Sequence, residues 1–299
     1  MKTSHLTMLL TLAAIWGASF MFMRISAPAF GPVALVELRV VIGALVLMPF
    51  VWATLRATDL KPYLGRLLLL GALNTALPFA LFAYASLTLP AAATSILNGT
   101  MPLWGFAIAA MFGLEPLSTW RFIGLVLGVA GITLVTGDPQ LSGTPEALRA
   151  LGAGLLASFL YGIAANYAKV KLKDLPSTVV AVGGQVGAAV VLLPALPFLW
   201  PTAMPSAGAW AAALMLAVLC TGIAYALYFK LISAVGAAKA MTVAFLIPVF
   251  GMLWGFVFLH ETITARMLIG CAVVLVGTAL SVELKVSWPR WLVTRTEGA

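Results

Sequence analysis

Long apolar runs separated by short clusters of turn residues and charges make up almost the whole chain. A helix needs roughly 20 apolar residues to cross the hydrocarbon core of a bilayer. Ten runs reach or approach that length, at about 6–24, 32–54, 64–86, 91–113, 119–137, 147–168, 177–199, 208–231, 237–259 and 265–285. The breaks fall at Pro28 with Gly31-Pro32, Asp59 to Pro62, Pro90, Glu115-Pro116, Asp138-Pro139, Pro176, Pro201 to Pro205, Gly236 and Glu261, where helices end and turns begin. The pattern predicts an all-α polytopic membrane protein of ten transmembrane helices, with loops too short for a soluble domain. The first run lacks a small-residue cleavage site followed by a soluble body, so it reads as a retained span and not a removed signal peptide.

Composition requires the same solvent. Of the 299 residues, 63% are hydrophobic and 9% charged, whereas soluble domains carry about 25% charged residues. There are too few polar side chains to cover an apolar mass of this size, so lipid must do so. The net charge of +8 would suggest nucleic acid in a soluble protein. Here the basic residues lie in loops, where they report orientation, and no nucleic-acid partner is expected. With the N-terminus placed in the cytoplasm, thirteen lysines and arginines fall on that side, against Arg24, Arg149 and Arg266 on the other. Positive residues favour the inside, so both termini are predicted to be cytoplasmic, with Trp288 and Trp291 as an interfacial anchor. Cys220 and Cys271 sit inside apolar runs, and His5 and His260 near run ends. Neither pair suggests a disulfide, a metal site or a cofactor.

The second half repeats the first. An offset of 146 residues places Pro102 on Pro248, Gly105 on Gly251, Glu115 on Glu261, Gly124 on Gly270 and Gly131 on Gly277. Chance agreement of prolines and membrane-edge glutamates at one offset is improbable in so apolar a chain. The expected organisation is a first five-helix repeat at 1–137, a linker at 138–146, a second repeat at 147–285 and a cytoplasmic tail at 286–299. Five is odd, so the second repeat enters the membrane from the opposite side. Inverted repeats around a central cavity are a common architecture of secondary transporters.

An early Trp16-Gly17-Ala18-Ser19-Phe20 is followed by two copies of one motif. The first is Ala91-Ala92-Ala93, Pro102, Glu115-Pro116-Leu117-Ser118, Gly124 and Gly131; the second is Ala237-Ala238, Pro248, Glu261-Thr262-Ile263-Thr264, Gly270 and Gly277. The pattern resembles the EamA family of the drug/metabolite transporter superfamily over nearly the whole chain. The resemblance implies a ten-helix fold with a cavity lined mainly by the first, third, fourth, sixth, eighth and ninth spans. It implies a bacterial inner-membrane protein that exports small metabolites, most nearly an exporter of aromatic and related amino acids.

Several residues are candidates for the transport chemistry. Pro102 and Pro248 each remove a backbone donor near mid-span, giving either a hinge or a packed kink. Trp16, Asn74, Asn98, Trp104, Tyr161, Asn166 and Tyr225 are polar or aromatic groups within apolar runs. They are candidate substrate contacts in an aromatic and amide-lined pocket; the alternative is interhelical hydrogen bonding. Glu37 and Arg39 are candidates for a gate or a coupling site, or else interfacial charges that snorkel. At i and i+2 they do not face one another. Glu115 and Glu261 are gate candidates, or loop-ordering residues ahead of the N-cap types Ser118 and Thr264. Lys230 and Lys239 bracket a short loop as topology charges or as attractors of a carboxylate. Gly124 with Gly128, Gly183 with Gly187, and Gly251 with Gly255 suit close helix packing.

The expected function is alternating-access export of amino acids or similar small metabolites. A proton-coupled exporter of another metabolite or drug, and an intramembrane enzyme, are the alternatives. No P-loop sequence is present, so the chain has no ATP site of that type. An intramembrane enzyme needs a grouped nucleophile, base or metal set, which the sequence does not offer. A channel would show a filter or rings of like groups. The expected partners are a small-molecule substrate and the lipid bilayer, and a monomer is compatible with the pattern.

Overall fold

The computed structural model describes residues 3–282, which are helical apart from turns and short loops. Among these residues the chain makes ten spans. Span one is Thr3–Phe30 and span two Pro32–Arg56; span three is Lys61–Ala85. Span four is broken, Ala91–Asn98 then Met101–Met111, and span five is Thr119–Thr136. Span six is Pro145–Lys171, span seven Ser177–Leu199 and span eight Ala207–Val235. Span nine is also broken, Ala237–Ala240 then Val243–Leu259, and span ten is Ala265–Ser281. The expected anchors Trp288 and Trp291, and the end of the second repeat with its tail, lie outside the described residues.

Local chemistry sets the boundaries. Span one continues through Pro28 to Phe30, where a break at Pro28 was expected. Gly31 ends it, at φ 73°, a left-handed conformation that glycine adopts without penalty. Gly236, at φ 84°, similarly separates spans eight and nine. Ser118, Thr144, Ser206 and Thr264 are N-caps whose side chains accept backbone N–H bonds.

Cross-span contacts at helix ends sort by face, as alternating insertion requires. On the face rich in lysine and arginine, Lys169 pairs with Glu115 at 2.8 Å, and Arg66 donates to the Lys171 carbonyl at 3.3 Å. On the opposite face Arg24 donates to the Ser86 carbonyl at 2.8 Å, and the Phe30 and Trp210 rings meet edge-on at 4.8 Å. Thr264 also bonds Asp138 there.

Glycines carry the two-fold pseudo-symmetry into the packing. A Cβ on Gly17 would lie 2.6 Å from Phe250 Cβ and 2.9 Å from the Gly251 nitrogen. A Cβ on Gly162 would lie 2.8 Å from the Gly105 nitrogen. Span one thus rests on span nine as span six rests on span four. Spans five and ten also approach closely, with a Cβ on Gly277 2.5 Å from the Gly128 nitrogen. In lipid, helix association relies on such close approach.

Candidate functional site

The two π-helical stretches, Ala72–Ala76 in span three and Val218–Ile223 in span eight, stand at equivalent places in the two repeats. π-bulges often mark functional sites. The offset of 146 places Thr75 on Thr221 and Arg39 on Gln185. All four are buried. Span two packs on the π-stretch of span eight, and span seven on that of span three.

Beside this layer lies a cavity of about 250 Å³, walled by spans three, six, seven and eight. Ala168, Ser177 and Ile232 lie toward the lysine-rich face, while Asn74 and Tyr225 lie deepest in the membrane. Trp16 backs the deep end, with its ring 6.1 Å from Tyr225 and 5.2 Å from Tyr228. Beyond it the interior is filled: Phe20, Phe82, Phe30 and Leu89 are buried toward the opposite face. The cavity therefore opens toward one face only.

The wall differs from the one the family resemblance implied. Span seven joins it, and spans one, four and nine do not. Those three are drawn together by the Gly17 contact and by Gly99, where a Cβ would lie 2.9 Å from Pro248 Cγ. Their packing closes the space on the far side.

Of the expected substrate contacts, Asn74, Tyr225 and Trp16 come together at the cavity. Tyr161 stands deeper, with its ring 6.1 Å from Phe82 and 6.3 Å from Phe79. Asn166 spends its amide on the Gly105 and Gly162 carbonyls, at 2.8 and 2.9 Å, and so ties span six to span four. Trp104 packs edge-on against Phe159 at 5.5 Å with its indole nitrogen buried and unbonded. Asn98 ends the first segment of span four. None of these last three lines the cavity.

The prolines behave differently from one another. Span four breaks at Gly99-Thr100, just before Pro102. Span nine runs unbroken through Pro248 and breaks instead at Met241-Thr242. The carbonyls around the first break are partly taken up by neighbours: Ser158 Oγ donates to Leu97 at 2.7 Å and Thr278 Oγ1 to Gly99 at 3.4 Å.

Arg39 and Glu37 are each 5% exposed, so neither snorkels to the interface. Arg39 Nε donates to Thr221 Oγ1 at 2.9 Å, and its guanidinium lies 3.7 Å above the Phe79 ring. Gly43 admits this contact, since a Cβ there would lie 2.9 Å from Thr221 Cβ. Glu37 Oε2 is buried without a partner.

The two membrane-edge glutamates are in unlike states. Glu261 accepts the Ala91 N–H at 2.8 Å and the Ala92 N–H at 3.3 Å, so a second-repeat carboxylate caps a first-repeat helix. By the repeat, Glu115 corresponds to Glu261 and Ala237 to Ala91. Glu115 instead bonds Lys169 and, at 3.3 Å, Arg121.

A family profile matches twice, over residues 3–137 and 148–282, and it is that of the EamA-like transporter family. The chain belongs to this family. It is a membrane transporter with two inverted five-helix repeats. Similar proteins include the uncharacterized transporter YoaV of Bacillus subtilis, 25% identical over 90% of this chain and 93% of that one. The uncharacterized inner membrane transporter YedA of Escherichia coli is 26% identical over 83% and 80% of the two chains. Protein PecM of Dickeya dadantii is 24% identical over 91% and 90%. A solved crystal structure matches over 100% of both chains, with a TM-score of 0.65 at 20% identity, and so shares the fold.

Proposed function

We propose that this EamA-family protein is a secondary transporter that exports an amino acid or a similar small polar metabolite from the bacterial cytoplasm by alternating access. The observation that carries the reading is the cavity open to one face and sealed to the other, between halves related by an inverted repeat. Two near-equivalent halves pointing opposite ways need only a modest free-energy difference between the two closed arrangements. The positive-inside bias puts the lysine-rich face, and both termini, in the cytoplasm of the inner membrane. The described arrangement is then the loading state of an exporter. Asn74 offers amide hydrogen bonds, and Tyr225 and Tyr228, backed by Trp16, offer ring faces to an apolar side chain.

The test is reconstitution of the purified protein in liposomes with a panel of labelled amino acids, with and without a pH gradient. Counterflow of aromatic or related amino acids is expected. If none of the panel moves, the substrate class is wrong. Proton coupling through Glu37 is a second reading, favoured by its burial and its unbonded Oε2. That reading expects gradient-dependent flux in the wild type and none in Glu37→Gln; flux indifferent to the gradient contradicts it.

A further inference from the structure

Arg39 is a buried cation that the fold has not neutralised. Its Nε is held by Thr221, Nη1 lies 4.0 Å from the weak acceptor Met23 Sδ, and no carboxylate pairs with it among the described residues. Glu37, two positions away on the same helix, points about 200° round the axis and cannot pair with it. An arginine within a span is expensive, and such residues usually mark a substrate or ion pathway. The Phe79 ring beneath the guanidinium offsets part of that cost, and a planar guanidinium fork suits a planar anion.

The surroundings point the same way. Arg39 is bonded to Thr221, and Tyr225 of the cavity wall lies four residues further along the same span as Thr221. The cavity thus ends about one helical turn short of the residue that holds the guanidinium. Thr221 Oγ1 donates its own proton to the Leu216 carbonyl at 3.0 Å, so it presents a lone pair to Arg39 and fixes the direction of the fork. Gln185, at the matching position of the second repeat, is 1% exposed with neither amide atom bonded. It lies one turn deeper than Ala181 of the cavity wall. Two equivalent positions therefore hold polar side chains in the membrane interior, and only the first carries charge.

We propose that Arg39 is the anion-recognition residue of the transport site and that the transported molecule carries a carboxylate, which the guanidinium binds when Tyr225 turns aside. The inference rests on the transport reading above and names the group that reading left open. An exporter selecting its cargo in this way accepts an amino acid and rejects the amine left by its decarboxylation. Removal of the carboxylate leaves the buried cation uncompensated, and unpaired buried polar groups give strong discrimination.

The experiment measures thermal stabilisation of the purified full-length protein by matched probes: phenylalanine, phenylalaninamide, phenethylamine and sodium chloride. Arg39→Met, Arg39→Lys and wild type are compared. Phenylalanine is expected to raise the wild-type melting temperature, with no shift from the amide or the amine. Arg39→Lys should keep the response at about tenfold higher ligand concentration, and Arg39→Met should lose it. Arg39→Met should itself melt no lower than wild type, because an apolar side chain of similar length replaces an uncompensated charge. Equal shifts from amine and amino acid, a response retained in Arg39→Met, or no response to phenylalanine overturns the proposal. A shift from chloride alone also overturns it, by making the site one for a small inorganic anion. Binding without liposome flux would leave the Arg39 assignment standing and remove the transport reading instead.

Discussion

Removal of the Glu261 carboxylate should open the face that is closed here. Glu261→Ala deletes two bonds from a carboxylate to backbone N–H groups, at 2.8 and 3.3 Å, on the helix that begins span four. A hydrogen bond to a charged group contributes about 1.5–3 kcal/mol net, and the longer bond stands at the low end. Glu261 is only partly buried, and water can replace it in the open arrangement. A loss of about 2 kcal/mol, falling on the closed arrangement, is therefore expected, or about 30-fold in the ratio of open to closed. Ser86 reports on this seal, being 0% exposed with its carbonyl bonded to Arg24. In a Cys220→Ala/Cys271→Ala background, Ser86→Cys would be labelled by an impermeant maleimide only while that face is open. Glu261→Ala should raise the labelling rate by about 30-fold, and Glu261→Gln by less, since the amide keeps one acceptor. An unchanged or slower rate in a protein with the wild-type melting temperature would refute the reasoning.

Three further outcomes are expected. Glu115→Ala should speed labelling of Ser86→Cys in the same assay, because it removes the Lys169 and Arg121 bonds that are made while the other face is open. Asn166→Ala should lower the melting temperature through two lost bonds of about 1 kcal/mol each, while leaving the order of preference among transported amino acids unchanged in liposomes. Gly277→Leu should separate spans five and ten, destabilising the protein by about 1–3 kcal/mol or more as seen in detergent melting; a wild-type melting temperature would contradict the packing at Gly128.

The span count and the inverted repeat were legible because they depend on run length, turn residues and one offset. Caps were legible too, since Ser118 and Thr264 act within three residues of themselves. The depth of Arg39 was not, because it depends on Gly43 letting span eight approach from far along the chain. The π-stretches had no local signature, although matching Thr75 to Thr221 and Arg39 to Gln185 at the known offset would have drawn attention to that layer. Proline marked the break in span four but not that in span nine, where helix continues through Pro248. A proline removes one bond and leaves neighbouring contacts to decide whether the helix parts. Asn166 and Trp104 read as pocket residues from their polarity, yet the close contact of Gly162 with Gly105 turns Asn166 toward backbone carbonyls.

Paired spin labels test the central claim, a carrier whose two faces open in turn, most directly. One pair, Lys171→Cys with Ser233→Cys, spans the cavity mouth; the other, Thr88→Cys with Thr202→Cys, spans the sealed face, all four positions being exposed. On addition of a transported substrate in lipid nanodiscs, the first distance should shorten in the same fraction of molecules in which the second lengthens. Distances that change together, or a mouth that closes while the sealed face never opens, would contradict alternating access between the two halves.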